Sequence, residues 1–200
     1  MRIAIIGAGS VGGGLGAALA AVGHSVVFGV RDPESEKCRA ALALAQGSSA
    51  ALPGEAVADA DLIAITLRPD AIPEMVAVLP SLAGRIVVDA MNRLGGDPAR
   101  STSQDLADLL PGARIVKAFN TIGFENLTTA RGRKVPAAMF VAGDDPDAKR
   151  IAMGLATELG FRAEDAGSLA NAKPLEEMVK VWLALAKQHG RTVGFAISDG

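Results

Sequence analysis

The chain has 200 residues, and half of them are hydrophobic but only 4% are aromatic, so its core has to be built from aliphatic side chains. A net charge of −2 without a long run of lysine and arginine argues against nucleic acid or an anionic membrane as a partner and leaves small molecules. No apolar run approaches the roughly 20 residues of a membrane helix, and the opening run is too short for a secretory signal, so we expect a cytoplasmic protein.

Apolar runs of strand length alternate with helical patterns along the whole chain, which is typical of βαβ units that form a parallel sheet. The predicted strands cover residues 2–6, 25–30, 49–52 (a weak one), 62–67, 86–90, 114–118, 138–142 and 162–165, and the predicted helices cover residues 11–22, 35–46, 73–79, 103–110, 146–159 and 174–189. The pattern predicts an α/β fold with a doubly wound, mostly parallel Rossmann sheet and helices on both faces. We expect one NAD(P)-binding domain over residues 1–200, with residues 168–200 as a helical carboxyl-terminal extension.

A glycine-rich turn follows the first predicted strand directly and leads into a helix. This is the G-x-G-x-x-G spacing of dinucleotide-binding turns, in which the first glycine allows the tight turn, the second lets a pyrophosphate approach and the third lets the helix pack on the strand. The alternative is a turn that merely joins strand to helix. The predicted pyrophosphate site consists of Gly7, Ala8, Gly9, Ser10, Val11 and Gly12.

The end of the second predicted strand bears on the choice between NADP and NAD. An NAD-binding domain usually has an acidic residue here, whereas a 2′-phosphate attracts arginine. This strand ends in Val30 and Arg31, with Lys37 as a further positive charge from the next helix, so NADP is favoured. Two alternatives remain open: Asp32 could bond a ribose if the strand ran one residue longer, or Arg31 could be a solvated turn residue.

Ligands of doubly wound sheets lie beyond the carboxyl ends of the strands, so the residues after each later strand are further candidates. Asn92 could bond the nicotinamide amide, although asparagine in such a place equally often bonds its own turn. The candidates at these strand ends are Thr66, Leu67 and Arg68, then Met91 and Asn92, and finally Ala118 and Asn120.

No catalytic acid–base pair or metal-ligand cluster emerges from the sequence. Lys117 is a catalytic candidate only if buried, and we expect a surface lysine there, because lysines near strand ends usually extend their ammonium groups into solvent. Cys38 has no activating neighbour and is expected to be structural. Hydride transfer remains possible, since two aligned redox molecules need positioning more than side-chain chemistry.

With these residues the chain resembles the coenzyme F420-dependent (deazaflavin-dependent) NADP oxidoreductase family, whose domain is shared by the membrane metalloreductases. The resemblance runs nearly end to end. Its elements are the opening MRIAIIGAGSVGGGLGAALAAVGHSVVFGVRDPE, the segment KAFNTIG, the stretch FVAGDDPDAKRIAMGLATELGFRAEDAGSLANAKPLEEM and the final helix.

The resemblance implies that NADPH lies along Ala8–Val11 and Arg31, and that a hydride passes between NADPH and a deazaflavin. Family members commonly have a serine where this chain has Val30, which removes one phosphate hydrogen bond. The resemblance also implies a homodimer made partly by the last helix, and a small-molecule redox acceptor, with coenzyme F420 as the candidate co-substrate. The alternatives are a flavin or imine reductase and an NADP-binding redox sensor without turnover.

Overall fold

The computed structural model describes residues 1–95, 97 and 99–198 and contains one eight-stranded sheet, which confirms the predicted α/β Rossmann class. The strand order is β3-β2-β1-β4-β5-β6-β7-β8. The strands are β1 (Arg2–Ile6), β2 (Ser25–Gly29), β3 (Ser49–Ala51), β4 (Leu62–Ile65), β5 (Ile86–Asp89), β6 (Arg114–Lys117), β7 (Ala138–Gly143) and β8 (Arg162–Asp165). All eight predicted strands are present, and several end one or two residues earlier than predicted.

Eight α-helices cover the two faces of the sheet in the described part of the chain. They are α1 (Ser10–Ala21), α2 (Glu36–Leu44), α3 (Pro53–Ala58), α4 (Ile72–Val76), α5 (Thr102–Leu109), α6 (Glu125–Thr129), α7 (Pro146–Glu158) and α8 (Ala172–His189). The sequence prediction missed α3 and α6, because helices of six and five residues are too short to show a helical hydrophobic period.

The sheet is parallel from β3 to β6, and β7 then runs antiparallel to β6. Only the short α6 lies in the connection before β7, whereas a parallel crossover normally includes a longer helix. The strand β8 is parallel to β7 and follows it through α7. The carboxyl ends of β1 to β6 therefore share one edge of the sheet, and β7 and β8 end at the opposite edge.

The glycine run in α1 brings this helix very close to the sheet. A Cβ at Gly16 would lie 2.4 Å from Cζ of Phe28 on β2, so any larger residue there would force the helix or the ring to shift. Gly16 therefore allows α1 to pack closely on the sheet. This packing places the start of α1 directly above the ends of β1 and β4, where a ligand of this fold would lie.

The last helix packs on the body of the protein, and the chain after it folds back. Trp182 donates its indole N–H to the carbonyl oxygen of Val193 at 2.8 Å, and the N–H of Ala138 on β7 donates to the carbonyl oxygen of Phe195 at 2.8 Å. Within the described residues, no helix combines the length and the apolar composition that a membrane span requires.

Helix α7 begins at an ion-paired cap, which predicts a specific pH dependence of stability. Asp145 accepts from the N–H of Ala148, and its hydrogen bond with Arg114 is the main reason why the pKa of Asp145 falls from 3.8 to about 2. A carboxyl whose pKa is lowered by folding stabilises the protein above its ordinary pKa, and this stabilisation is lost as the pH falls through the folded value.

We expect the variant Asp145→Asn to lose less stability than the wild type between pH 4 and pH 2, because asparagine still caps the helix but cannot titrate. Urea unfolding at a series of pH values measures the difference. Parallel stability curves for the two proteins over this interval would contradict the assigned role.

Candidate functional site

A cleft of about 740 Å³ lies at the carboxyl ends of β1, β2 and β4. This is the edge at which doubly wound sheets bind their ligands. The cleft is lined by Gly7, Ala8, Gly9, Gly29, Val30, Arg31, Asp32, Ser35, Lys37, Thr66, Leu67, Arg68, Asp70, Ala71, Glu74 and Met75.

The floor of the cleft is the turn between β1 and α1. Gly7 has a φ of +108°, which only glycine adopts without strain, and its N–H donates to the carbonyl oxygen of Gly29 at 3.1 Å. Gly9 is the N-cap of α1, and no side chain bonds the helix start there. The first turn also contains no acidic residue. A helix start without a cap presents N–H groups and a positive dipole end to an anion.

Gly9 and Gly12 serve different purposes, as the spacing predicts. A Cβ at Gly9 would meet nothing within 4 Å and would point into open space at the helix start. A Cβ at Gly12 would lie 2.1 Å from the carbonyl oxygen of Gly7 and 2.6 Å from Oγ1 of Thr66. Gly12 therefore permits the contact between helix and strand, whereas Gly9 leaves room for a ligand.

Thr66 supports the turn from β4. Its hydroxyl lies 3.1 Å from the carbonyl oxygens of both Ile6 and Gly7 and can donate to either. The prediction of Thr66 as a ligand contact stays a prediction, and the structure shows that its hydroxyl holds the backbone of the glycine turn.

Arg31 stands at the rim of the cleft and pairs with Glu74 of α4 across it, with 2.9 Å between Nη1 and Oε1. Both side chains are about 70% exposed, so water screens the pair and a bound anion can replace it at little cost. Arg68 pairs with Asp70 on the same wall. The cleft thus holds two arginines whose partners are exposed carboxylates.

The neighbours of Arg31 also bear on the choice of cofactor. One carboxylate oxygen of Asp32 accepts from the N–H of Glu34 at 2.9 Å, so this side chain takes part in its own turn. Lys37 lines the cleft, and none of the described residues forms an ion pair or hydrogen bond with its ammonium group. Two cations, Arg31 and Lys37, face the end of the cleft at β2.

The structure places the remaining candidates next to the cleft but not on its walls. Met91, Ala118 and Asn120 are buried, and Asn92 is half-buried. The two asparagines bond each other: the amide of Asn92 donates to the Asn120 carbonyl oxygen at 2.8 Å, and the amide of Asn120 donates to Oδ1 of Asn92 at 2.9 Å. Both follow the strands next to β4, at the same edge of the sheet.

The segment after β6 carries backbone strain and unused polar atoms. Phe119 has a φ of +61°, which is rare for an aromatic residue and costs free energy, on the order of 1–3 kcal/mol. Oδ1 of Asn120 and Oγ1 of Thr121 are buried without a hydrogen-bond partner among the described residues. Such strained and unsatisfied groups cluster at functional sites.

The prediction that Lys117 is a surface lysine is wrong, because its side chain is fully buried. Its ammonium nitrogen lies 2.9 Å from a carboxylate oxygen of Asp89 and 2.7 Å from one of Glu176. Two further oxygens, those of Met91 (main chain, 2.7 Å) and Thr102 (hydroxyl, 2.9 Å), complete its contacts. We call Asp89, Thr102, Lys117 and Glu176 the lysine cluster.

Sequence reasoning missed Glu74 and the two carboxylates of the lysine cluster. Glu74 is 43 residues from Arg31, and Glu176 is 59 residues from Lys117. No local pattern connects such residues, although a charged residue within an otherwise apolar strand, such as Asp89 or Lys117, is a signal for a buried ionic pair.

The resemblance noted in the sequence is confirmed by comparison with known proteins. Residues 2–93 match the family described as NADP oxidoreductase, coenzyme F420-dependent. The chain is 30% identical to the metalloreductase STEAP3 of Rattus norvegicus and 24% identical to STEAP2 of Mus musculus, over 88% and 89% of its length. It spans 36% of the length of each of these curated relatives.

Two solved structures extend the comparison. A candidate F420-dependent NADP reductase from Arthrobacter sp. FB24 is 27% identical and has a TM-score of 0.86, with both chains covered completely. A reductive aminase from Aspergillus terreus in complex with NADPH4, cyclohexanone and allyl amine has a TM-score of 0.68 at 20% identity, over 93% of this chain and 60% of the aminase. The second likeness shows the shared fold.

Proposed function

We propose that the protein is an NADPH-dependent oxidoreductase, because residues 2–93 match the coenzyme F420-dependent NADP oxidoreductase family. It transfers a hydride between NADP(H) and a deazaflavin of the F420 type or a similar small acceptor. The observation that carries the proposal is the cleft itself, in which an uncapped helix start adjoins two cations at the end of β2.

The residues of the cleft fit a phosphorylated dinucleotide at both of its phosphate groups. The first turn of α1, around Gly9 and Ser10, would bind the pyrophosphate through backbone N–H groups. Arg31 and Lys37 would bind the 2′-phosphate. Asp32 is engaged in its own turn, which argues against its serving the free ribose hydroxyl of NAD.

Bound NADPH supplies the hydride, so the protein has to position two molecules and exclude water. Asn92 and Asn120 lie at the ends of β5 and β6, on the side away from Arg31, where the nicotinamide half would extend. The unpartnered Oδ1 of Asn120 is buried behind the cleft wall, so it would accept from a carboxamide N–H only after a local rearrangement of the segment that follows β6. Hydride transfer between two positioned molecules needs no acid–base pair, and the sequence shows none.

The acceptor is tested by NADPH oxidation at 340 nm with coenzyme F420, flavin mononucleotide, a ferric chelate and cyclic imines, each in parallel with NADH. We expect turnover with the deazaflavin and NADPH. If turnover occurred only with another member of the panel, that compound would be the acceptor instead of the deazaflavin. Tight NADPH binding without turnover on any of them would favour the redox sensor, and weak binding of both cofactors would contradict the proposal.

Arg31 provides the test of cofactor choice. We expect Arg31→Ala to weaken NADPH binding by about 1–3 kcal/mol and to leave NADH binding nearly unchanged, because the charge-assisted bonds to the 2′-phosphate are lost. Conversely, Glu74→Gln is expected to tighten NADPH binding, since it removes the carboxylate that competes for Arg31. Fluorescence titration with each cofactor measures both effects.

Arg150→Ala is the matched control for charge, because Arg150 is also exposed and paired with a carboxylate, at 3.0 Å from Asp147 on α7. We expect it to change neither affinity. Equal losses of NADPH and NADH affinity in Arg31→Ala would contradict a role in binding the 2′-phosphate.

A further inference from the structure

We propose that the lysine cluster positions the residues at the nicotinamide side of the cleft, and that helix α8 contributes to that site through Glu176. The inference rests on the proposed function, since it assigns these buried residues to the same hydride transfer. The inference is based on the hydrogen bonds of one carboxylate, that of Glu176 on α8. This carboxylate bonds both Lys117 on the sheet and the turn after β5.

The two oxygens of Glu176 have separate partners. Oε1 accepts from the Lys117 ammonium at 2.7 Å and from the N–H of Thr102 at 2.8 Å. Oε2 accepts from the N–H of Arg93 at 3.2 Å. The first oxygen therefore anchors α8 to β6 and α5, and the second holds the turn that follows β5.

The other end of this turn is held by the same cluster. The Lys117 ammonium donates to the carbonyl oxygen of Met91 at 2.7 Å, and the N–H of Met91 donates to Oδ1 of Asp89 at 2.9 Å. Asn92 lies between the two anchored residues. The backbone on both sides of Asn92 is thus fixed by buried charged groups.

Helix α8 also supports the partner of Asn92. The amide of Asn120 donates to the carbonyl oxygen of Leu175 at 3.0 Å, one residue before Glu176. Both asparagines at the ends of β5 and β6 consequently depend on the same turn of α8. A shift of this helix would move the two side chains that we assign to the nicotinamide.

A purely structural role would not require charges here. Replacing a buried ion pair by well-packed apolar side chains is often neutral or stabilising, so a cluster that only held the core together would gain little from its charges. Groups that bond a turn at defined atoms fix its position instead. Hydride transfer requires that accuracy, because displacements of about 1 Å cost on the order of 100-fold in rate.

Glu176→Gln tests the inference. The carboxamide keeps one acceptor oxygen for Lys117 and Thr102, but it places an N–H donor where Oε2 accepted from Arg93. The turn therefore loses its acceptor while α8 keeps its anchor. We expect kcat for NADPH oxidation, with whichever acceptor supports turnover in the wild type, to fall about 10- to 100-fold. We also expect NADPH affinity to fall relative to that of 2′,5′-ADP, which lacks the nicotinamide half and should bind unchanged.

Glu177→Gln is the control, since it makes the same chemical change one residue along the helix, where Glu177 pairs with Lys173 at 2.7 Å on the partly exposed side. It should leave kcat and both affinities unchanged. Thermal melting checks that each variant is folded. If Glu176→Gln does not fold, Glu176→Asp is assayed instead, because it retains the charge but withdraws the carboxylate from Arg93, and the same loss of kcat is expected.

An unchanged kcat and an unchanged ratio of the two affinities would overturn the inference. A parallel loss of 2′,5′-ADP and NADPH affinity would also overturn it, since the role would then be structural. Failure of the proposed function is distinguishable, because the wild type itself would then either bind neither NADPH nor 2′,5′-ADP or bind NADPH without turnover on any acceptor.

Discussion

Gly12→Ala is expected to destabilise the protein by about 3 kcal/mol or more, because overpacking at a site that cannot relax is costly. The added methyl group would lie 2.1 Å from the Gly7 carbonyl oxygen, which is backbone within the turn itself. Relief requires the start of α1 to move away from β1. Urea unfolding of the protein without cofactor measures the loss.

Gly9→Val is expected to leave stability nearly unchanged and to weaken NADPH binding instead. The backbone at Gly9 is extended, with φ −76° and ψ −172°, and the space around its Cβ is empty, so the fold loses at most about 1 kcal/mol from the weaker N-cap. NADPH affinity should fall at least about 100-fold, because the side chain occupies the path to the N–H groups of the helix start.

The two glycine variants control for each other, since they lie in the same turn and both add carbon atoms. A Gly9→Val protein that binds NADPH normally would show that the pyrophosphate does not use this helix start. A Gly12→Ala protein with wild-type stability would show that α1 can shift, and would remove the packing explanation for the third glycine.

Lys117→Met should cost about 3–5 kcal/mol of folding free energy, because it leaves the carboxylates of Asp89 and Glu176 buried without their cation. Methionine fills nearly the same volume, so a cavity does not explain the loss. Chemical denaturation at neutral pH provides the measurement.

The combination Lys117→Met with Glu176→Gln separates charge from packing. Removing one of the two stranded carboxylates is expected to restore part of the lost stability, so the two changes should not be additive. Additive losses would mean that Lys117 and Glu176 do not interact in the folded protein, and the lysine cluster would have to be revised.

Patterns that lie close together along the chain predicted the nucleotide-binding end of the site. The glycine turn, its preceding strand and its following helix are contiguous, and Arg31 comes two residues after β2 ends. The structure assigns Gly9 and Gly12 the open and close-packed positions that the spacing predicts. Whether these residues bind NADP remains a prediction for the affinity measurements above.

The surroundings of the candidates after β5 and β6 could not be predicted from the sequence, for a physical reason. Met91, Asn92, Ala118 and Asn120 were chosen because they follow strands, but their burial and mutual bonds depend on which strands are neighbours in the sheet. The antiparallel direction of β7 likewise depends on the path that the chain takes after β6. No local hydrophobic pattern in the sequence reveals that path.

The sequence by itself determined the class of fold, the strands, most of the helices and the glycine turn at the start of α1, because these depend on short-range periodicity and on glycine spacing. Only the tertiary structure decided where the charges lie. Lys117 is buried because the folded chain brings Asp89 and Glu176 to its ammonium group, and no single strand or helix contains all three. The free energy of a charge depends on its surroundings, and distant parts of the chain supply those surroundings.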